Sequence, residues 1–241
     1  MTKTPKFTKQ IEENRETITQ MLSGAGTVKR LNNLNWVRHE ISYTEPRTLF
    51  YIPNKDQMPY LDYNSMKDLG YAYDYIVNNP KTIIDMTEIC KLHSMLCDGT
   101  YIHGGLFRTS PKIIEIMVND FRVHAPDASQ IRTQMNEIVF KLNNPDISVL
   151  NRAFGVHYDL IMLQPFDDFN KRTARLVMNW TLIQNGYCPI VFNQRADKQK
   201  YKESITAYAN GQPKEYFAYM SSCLARTQRE IIKLLQNSKM L

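Results

Sequence analysis

The residues with the clearest chemical potential form one run, Gln164-Pro165-Phe166-Asp167-Asp168-Phe169-Asn170-Lys171-Arg172-Thr173-Ala174-Arg175. Three cations, Lys171, Arg172 and Arg175, open a predicted helix whose N-terminus already carries unpaired N–H groups and partial positive charge. Cations at that end are unfavourable by about a few tenths of a kcal/mol, so three together point to an anionic ligand that compensates them. Arg172 and Arg175 are three residues apart and project to one side of the helix. Asp168, just before the helix, has the chemistry to bridge Mg²⁺ between the loop and phosphate oxygens. The same spacing fits a plainer arrangement, in which Asp168 and Asn170 cap the helix and the cations face water.

Two helices must hold this run in place. Val156, Leu160 and Leu163 mark the apolar face of the first, which has to stop before Pro165 because a residue preceding proline is pushed out of the helical region. Leu176, Val177, Trp180 and Ile183 mark the second, which Gly186 ends and Pro189 cannot continue. Helical spacing also predicts helices over Thr8–Leu22, Val28–Ser42 and Tyr63–Asn78, and one capped by Asp85 that stops at Asp98-Gly99. Further helices are expected over Ser129–Leu142, Lys198–Ala209 and from Pro213 to the end, with an ordered loop over 43–61. The texture changes only at 105–123. There the β-branched runs Lys112 to Val118 and Phe121 to Val123, divided by Asn119-Asp120, read as a two-stranded hairpin. The expected fold is mainly α, a helical bundle with one short β-hairpin.

Bulk properties narrow the function classes. A hydrophobic fraction of 43% and a charged fraction of 22% are ordinary for a globular chain. No apolar run is long enough to span a membrane, and the N-terminus lacks the apolar stretch of a secretory signal, so a cytoplasmic location is expected. The four cysteines are scattered without metal spacing and read as buried reduced thiols. The net charge of +6 invites a nucleic-acid partner, but the bases are interleaved with acids. Only Arg195 to Lys202 is dense, and it reads as a solvated helix face, so nucleic acid is not expected.

The run at 164–175 resembles the signature of the Fic family, His-Pro-Phe-x-Asp/Glu-Gly/Ala-Asn-Gly/Lys-Arg-x-x-Arg. It agrees at Pro165, Phe166, Asp168, Asn170, Lys171, Arg172 and Arg175, and Asn170 to Ala174 also resembles the Doc branch. Leu92-His93, Gly105-Leu106-Phe107-Arg108, the strand Lys112–Met117, His157, Asn185–Pro189, Tyr201, Ala207 and Gly211 resemble further parts of that pattern. The resemblance implies a Fic-like core over 63–220, an N-terminal helical extension over 1–62 and a C-terminal helix over 221–241.

In function it implies an ATP-dependent, Mg-dependent protein adenylyltransferase that moves AMP onto Ser, Thr or Tyr hydroxyls. Asp168 would ligate the metal, Asn170 would contact the α-phosphate, and Arg172 and Arg175 would take the β- and γ-phosphates, with Phe169 and Lys171 in the same nucleotide-binding turn. A hairpin flap at Lys112, Ile113, Ile114, Glu115 and Ile116 would pair with an extended segment of the target protein. The resemblance also leaves room for a homodimer. Many members carry a restraining helix with Ser/Thr-x-x-x-Glu-Gly/Asn. Trp36 to Ile41 agrees with it only at Glu40, which would contact Arg175. His93 and His157 read as buried structural histidines, His103 and His124 as loop residues, and Tyr201 as a core or adenine-pocket tyrosine.

Two departures fall inside the signature. Gln164 stands where the family has the histidine that takes the proton from the target hydroxyl, and an amide has no basic nitrogen. Phe169 stands where the family has Gly or Ala, at a turn where positive φ and close approach favour a small residue. Three functions therefore compete: a slowed or altered transferase, a nucleotide-binding pseudoenzyme, and a plain interaction module.

Overall fold

The computed structural model describes residues 6–22, 35–41, 60–98, 100, 102–115, 122–192 and 194–238. Nine α-helices appear among them: α1 Lys6–Met21, α2 Asn35–His39, α3 Tyr60–Asn78, α4 Met86–Leu96, α5 Ile131–Asn143, α6 Val149–Leu163, α7 Asn170–Gln184, α8 Gln194–Ala209 and α9 Pro213–Ser238. Two short strands, β1 Ile113–Glu115 and β2 Arg122–His124, pair antiparallel with Ile113 opposite His124 and Ile114 opposite Val123. The mainly helical bundle with a hairpin is what periodicity predicts. The predicted residues 23–34, 42–59, 99 and 116–121 lie outside the described ones, including Ile116 and the Asn119-Asp120 turn.

The central element is α7. Thr173, Ala174 and every residue from Leu176 to Ile183 are buried, so it has almost no solvent face, and α6, α3 and α4 pack around it. A helix buried on nearly every side belongs at the middle of a core. Trp180 is wholly buried and its indole N–H donates to the Asn79 carbonyl at the end of α3 (3.0 Å). α7 ends where Gly186 turns left-handed (φ 77°), with Tyr187 N–H bonded back to Leu182 (3.0 Å) and Gly186 N–H to Ile183 (3.1 Å). That paired closure is the glycine-dependent helix stop that the Gly186–Pro189 spacing predicts.

Asp85 caps α4 as expected, accepting from Glu88 N–H at 2.8 Å. α9 lies against α1, α6 and α8. Its Gln228 amide donates to the Ile11 carbonyl (3.0 Å), and Asp197 at the start of α8 forms an ion pair with Arg226. All four cysteines are free, three of them buried and Cys90 half-buried. Among the described residues no helix is long and apolar enough to cross a membrane.

Candidate active site at the α6–α7 turn

The 164–169 turn is built by closing the C-terminal end of α6. Pro165 forbids another helical turn, and Gln164 takes a left-handed backbone (φ 47°, ψ 60°). Its own side chain is buried and caps the helix it ends, the amide Nε2 donating to the Ile161 carbonyl at 2.8 Å. Arg108 takes the two carbonyls that follow, Leu163 and Gln164. Its Nε donates to Gln164 O (2.7 Å) and its Nη2 to Leu163 O (3.3 Å) and Pro126 O (2.6 Å), while Nη1 donates to Ser110 O (2.8 Å). A helix end leaves such carbonyls without intrahelical partners, and a guanidinium suits them in charge and in shape.

The turn itself is tied from three sides. Asn170 accepts from Phe166 N–H (2.9 Å) and donates to Phe166 O (2.7 Å), closing the turn on itself. Gly105 N–H donates to His93 Nδ1 (2.9 Å), so His93 is the Nε2–H tautomer and donates to Asp168 O (3.1 Å). The imidazole also stacks on the Phe166 ring, 3.8 Å between centroids and 5° between planes. Lys112, at the foot of the flap, donates to the carbonyls of Phe166 and Asp167. Burial holds both the Lys112 ammonium and the His93 imidazolium below their ordinary pKa.

Phe169 is the residue before α7 and is left-handed (φ 54°, ψ 10°); its side chain makes no capping hydrogen bond. The capping arrangement is therefore not the one formed. Asn170 is already helical and is spent on Phe166, and Asp168 Oδ1 accepts from Phe169 N–H (2.7 Å), one residue short of the helix. The Phe169 ring turns toward two neighbours, with the Arg172 guanidinium 5.0 Å from its centroid and the His93 ring at 6.5 Å. Arg175, one turn on, lies over Phe192 (4.8 Å) and Tyr201 (5.0 Å), while Lys171 is exposed. Gln164, Asp168, Phe169, Asn170, Arg172 and Lys112 thus converge on one turn.

Of the remaining flap residues, Ile114 is buried and Ile113 is half-exposed beside it on β1, with Glu115 the next strand position. Glu40 sits at the end of α2, its carboxylate 3.6 Å from His39. His157 is wholly buried between two tyrosine hydroxyls, and Tyr201 is buried too. Sequence reading placed Arg108 only by resemblance and missed Phe192 altogether. Both act through tertiary contacts that leave no periodic or spacing signal.

The two buried histidines make a pH prediction. Both are held neutral in the fold, His157 well below its ordinary value by burial and by Arg175. The unfolded chain binds their protons near the ordinary 6.5 and the folded chain does not, so stability falls as pH drops below that value. The limiting slope is about 1.4 kcal/mol per pH unit for each histidine. Asp68, pushed up to about 6 by burial and the Asp98 charge, gains its proton in the fold and flattens the curve lower down. Urea midpoints level from pH 7 to pH 6 would contradict the neutral assignments.

Residues 83–182 match the Fic/DOC family. A protein adenylyltransferase Fic from Aedes aegypti is 27% identical over 173 residues, covering 69% of this chain and 33% of that protein. The chain spans about a third of the length of the curated relatives it matches. In fold it is similar to a Fic-domain-containing signaling protein from Bacteroides thetaiotaomicron (TM-score 0.79, 18% identity, 95% of this chain and 97% of that one). It is similar also to IbpAFic2, solved covalently tethered to Cdc42 (TM-score 0.59, 16% identity, 89% of this chain and 70% of that one).

Proposed function

We propose that this chain, whose residues 83–182 match the Fic/DOC family, binds Mg-ATP at the α6–α7 turn and transfers AMP to a protein hydroxyl, at a rate held down by Gln164. The observation that carries this reading is the placing of Arg172 in the first turn of α7, and of Arg175 one turn on, in a helix whose N-cap residue, Phe169, makes no side-chain capping hydrogen bond. An uncapped helix start with two arginines on one side is an anion site, and a guanidinium fork bonds phosphate oxygens two at a time. The curated relatives it matches are named adenylyltransferases, and IbpAFic2 has been solved tethered to a protein, which favours a nucleotide and a protein target over a small acceptor.

The residues fit a metal carried in by the nucleotide. Asp168 is an exposed carboxylate, and no cluster of three metal-binding side chains occurs among the described residues. Mg²⁺ is commonly held by one or two carboxylates together with phosphates and water. Bound there, it would neutralise phosphate charge. Asn170, which gives one amide hydrogen to Phe166, has a second for the α-phosphate. The edge of β1, Ile113 to Glu115, would take the target as an added strand. The target oxygen then bonds to the α-phosphorus, the bond to the bridging oxygen breaks, and pyrophosphate leaves. The hydroxyl proton has no acceptor at position 164 and passes to solvent.

The buried amide of Gln164, tied to Ile161 O, favours a second reading in which nucleotide is held and not transferred. Calorimetry with Mg-ATP, followed by mass spectrometry of the protein and a lysate after incubation with ATP, distinguishes the two. Arg172→Ala is expected to weaken Mg-ATP roughly 10- to 150-fold, the worth of one charge-assisted contact. Wild-type protein giving no binding heat with Mg-ATP would remove both readings and leave the interaction module.

A further inference from the structure

Arg175 lies in an aromatic corner. Its guanidinium carbon is 4.8 Å from the centre of the Phe192 ring and 5.0 Å from that of Tyr201. The two rings meet near edge-to-face, 5.4 Å apart at 67°, and both are buried. Aromatic faces attract a cation without neutralising it, and a guanidinium stacked on a ring keeps its N–H edge for hydrogen bonds.

The orientation of Tyr201 is fixed by a hydrogen-bond chain with one allowed polarity. Phe154 O can only accept, so the single hydrogen of Tyr216 goes to it (3.0 Å). The Tyr216 oxygen must then accept from His157 Nδ1 (2.6 Å), which leaves Nε2 as an acceptor for the Tyr201 hydroxyl (3.1 Å). Three buried polar groups are satisfied at once, in the one arrangement that needs a neutral imidazole. Phe192 is held as firmly. Asn179 bonds both the N–H (2.9 Å) and the carbonyl (3.2 Å) of Ile190, Thr227 accepts from Val191 N–H (3.1 Å), and Arg226 of the Asp197 ion pair reaches Val191 O (3.3 Å). The corner is thus assembled from α6, the 187–192 segment, α8 and α9.

We propose that Phe192 and Tyr201 are positioning residues for Arg175, and that His157, acting through the Tyr201 hydroxyl, sets the ring face against which that guanidinium is oriented toward the polyphosphate. The consequence for ligand binding rests on the Mg-ATP reading above; the aromatic corner does not. His157 then has a role beyond packing: it fixes a cation of the anion site through a tyrosine contributed by a different helix.

The test separates the two levels. Arginine side-chain NMR of the nucleotide-free protein, with the Arg175 signal identified by Arg175→Lys, should show its N–H and Cδ protons shifted upfield by ring currents. Tyr201→Leu and Phe192→Leu should each return part of that shift, while Tyr201→Phe, which keeps the ring, should return little. His157→Leu should broaden or move the signal, and His157→Gln, which can still donate to Tyr216 and accept from Tyr201, should restore it. Titration with magnesium tripolyphosphate and with AMP follows. Tyr201→Leu is expected to lose roughly 3- to 30-fold for tripolyphosphate with AMP unchanged. A wild-type Arg175 signal at the position of a solvated arginine overturns the proposal, and because it needs no variant, loss of folding cannot mask it. A shifted signal in a protein that ignores tripolyphosphate upholds the corner and sinks the Mg-ATP reading instead.

Discussion

Gln164→His is expected to raise AMP transfer by about 10²–10⁴-fold, the usual worth of a positioned general base. The site is suited to the exchange in two respects. Gln164 is left-handed (φ 47°), and histidine is among the non-glycine residues enriched in that conformation. The amide also reveals what an imidazole would do there, since it donates to the Ile161 carbonyl at 2.8 Å. An imidazole that kept this bond through Nδ1–H would have its lone pair on Nε2, the tautomer a base requires. The readout is the intact mass of the protein and of lysate proteins after incubation with Mg-ATP, wild type beside variant. Phe169→Gly should be combined with it, because Phe169 is also left-handed and glycine relieves a strain of about 1 kcal/mol there. The gain in backbone freedom is set against the loss of the ring that Arg172 and His93 touch. If the double variant labels nothing, itself included, the turn is not a transferase site.

What the sequence made legible was local. The α6 and α7 patterns, the proline between them and the Gly186 stop are periodic or positional signals, and each element forms within a residue or so of its expected place. Asp85 caps α4 because an acceptor side chain before an apolar-periodic run has little else to do. Where the reading slipped, a long-range partner was responsible. α8 begins at Gln194 and not at Lys198, since its first turn is polar in sequence and is anchored by the Asp197–Arg226 pair. Asn170 was a plausible cap until the turn folded back on Phe166 and took both ends of its amide. Lys112 was placed on the flap, but that it also reaches the Phe166 and Asp167 carbonyls depends on how the hairpin sits against the turn, which no spacing encodes. The family motif thus identified the loop. Its supporting side chains, Arg108, His93 and Phe192, had to be found in the fold.

Arg108 makes the strongest prediction about that support. Its side chain is 2% exposed and gives four hydrogen bonds to carbonyl oxygens, two of them the last acceptors of α6. Its backbone N–H adds a fifth, to Pro165 O at 3.0 Å, which any substitution other than proline keeps. Arg108→Met preserves much of the apolar stem and removes the fork, so Leu163, Gln164, Ser110 and Pro126 lose their common donor at once. A buried acceptor left unsatisfied costs about 1–3 kcal/mol, and even with relaxation and water entry the sum is expected to exceed about 3 kcal/mol. Against the roughly 5–15 kcal/mol that holds a domain together, such a loss is a large fraction. Arg108→Lys keeps the charge but not the fork and should recover only part of it. The check is urea denaturation of the three proteins beside Mg-ATP calorimetry. The donors to Leu163 O and Gln164 O hold the entry to the turn while Asn170 holds its exit. Nucleotide affinity should therefore fall in the variants even where most molecules remain folded. An Arg108→Met protein with wild-type midpoint and wild-type affinity would mean that Asn170, His93 and Lys112 hold the turn without it.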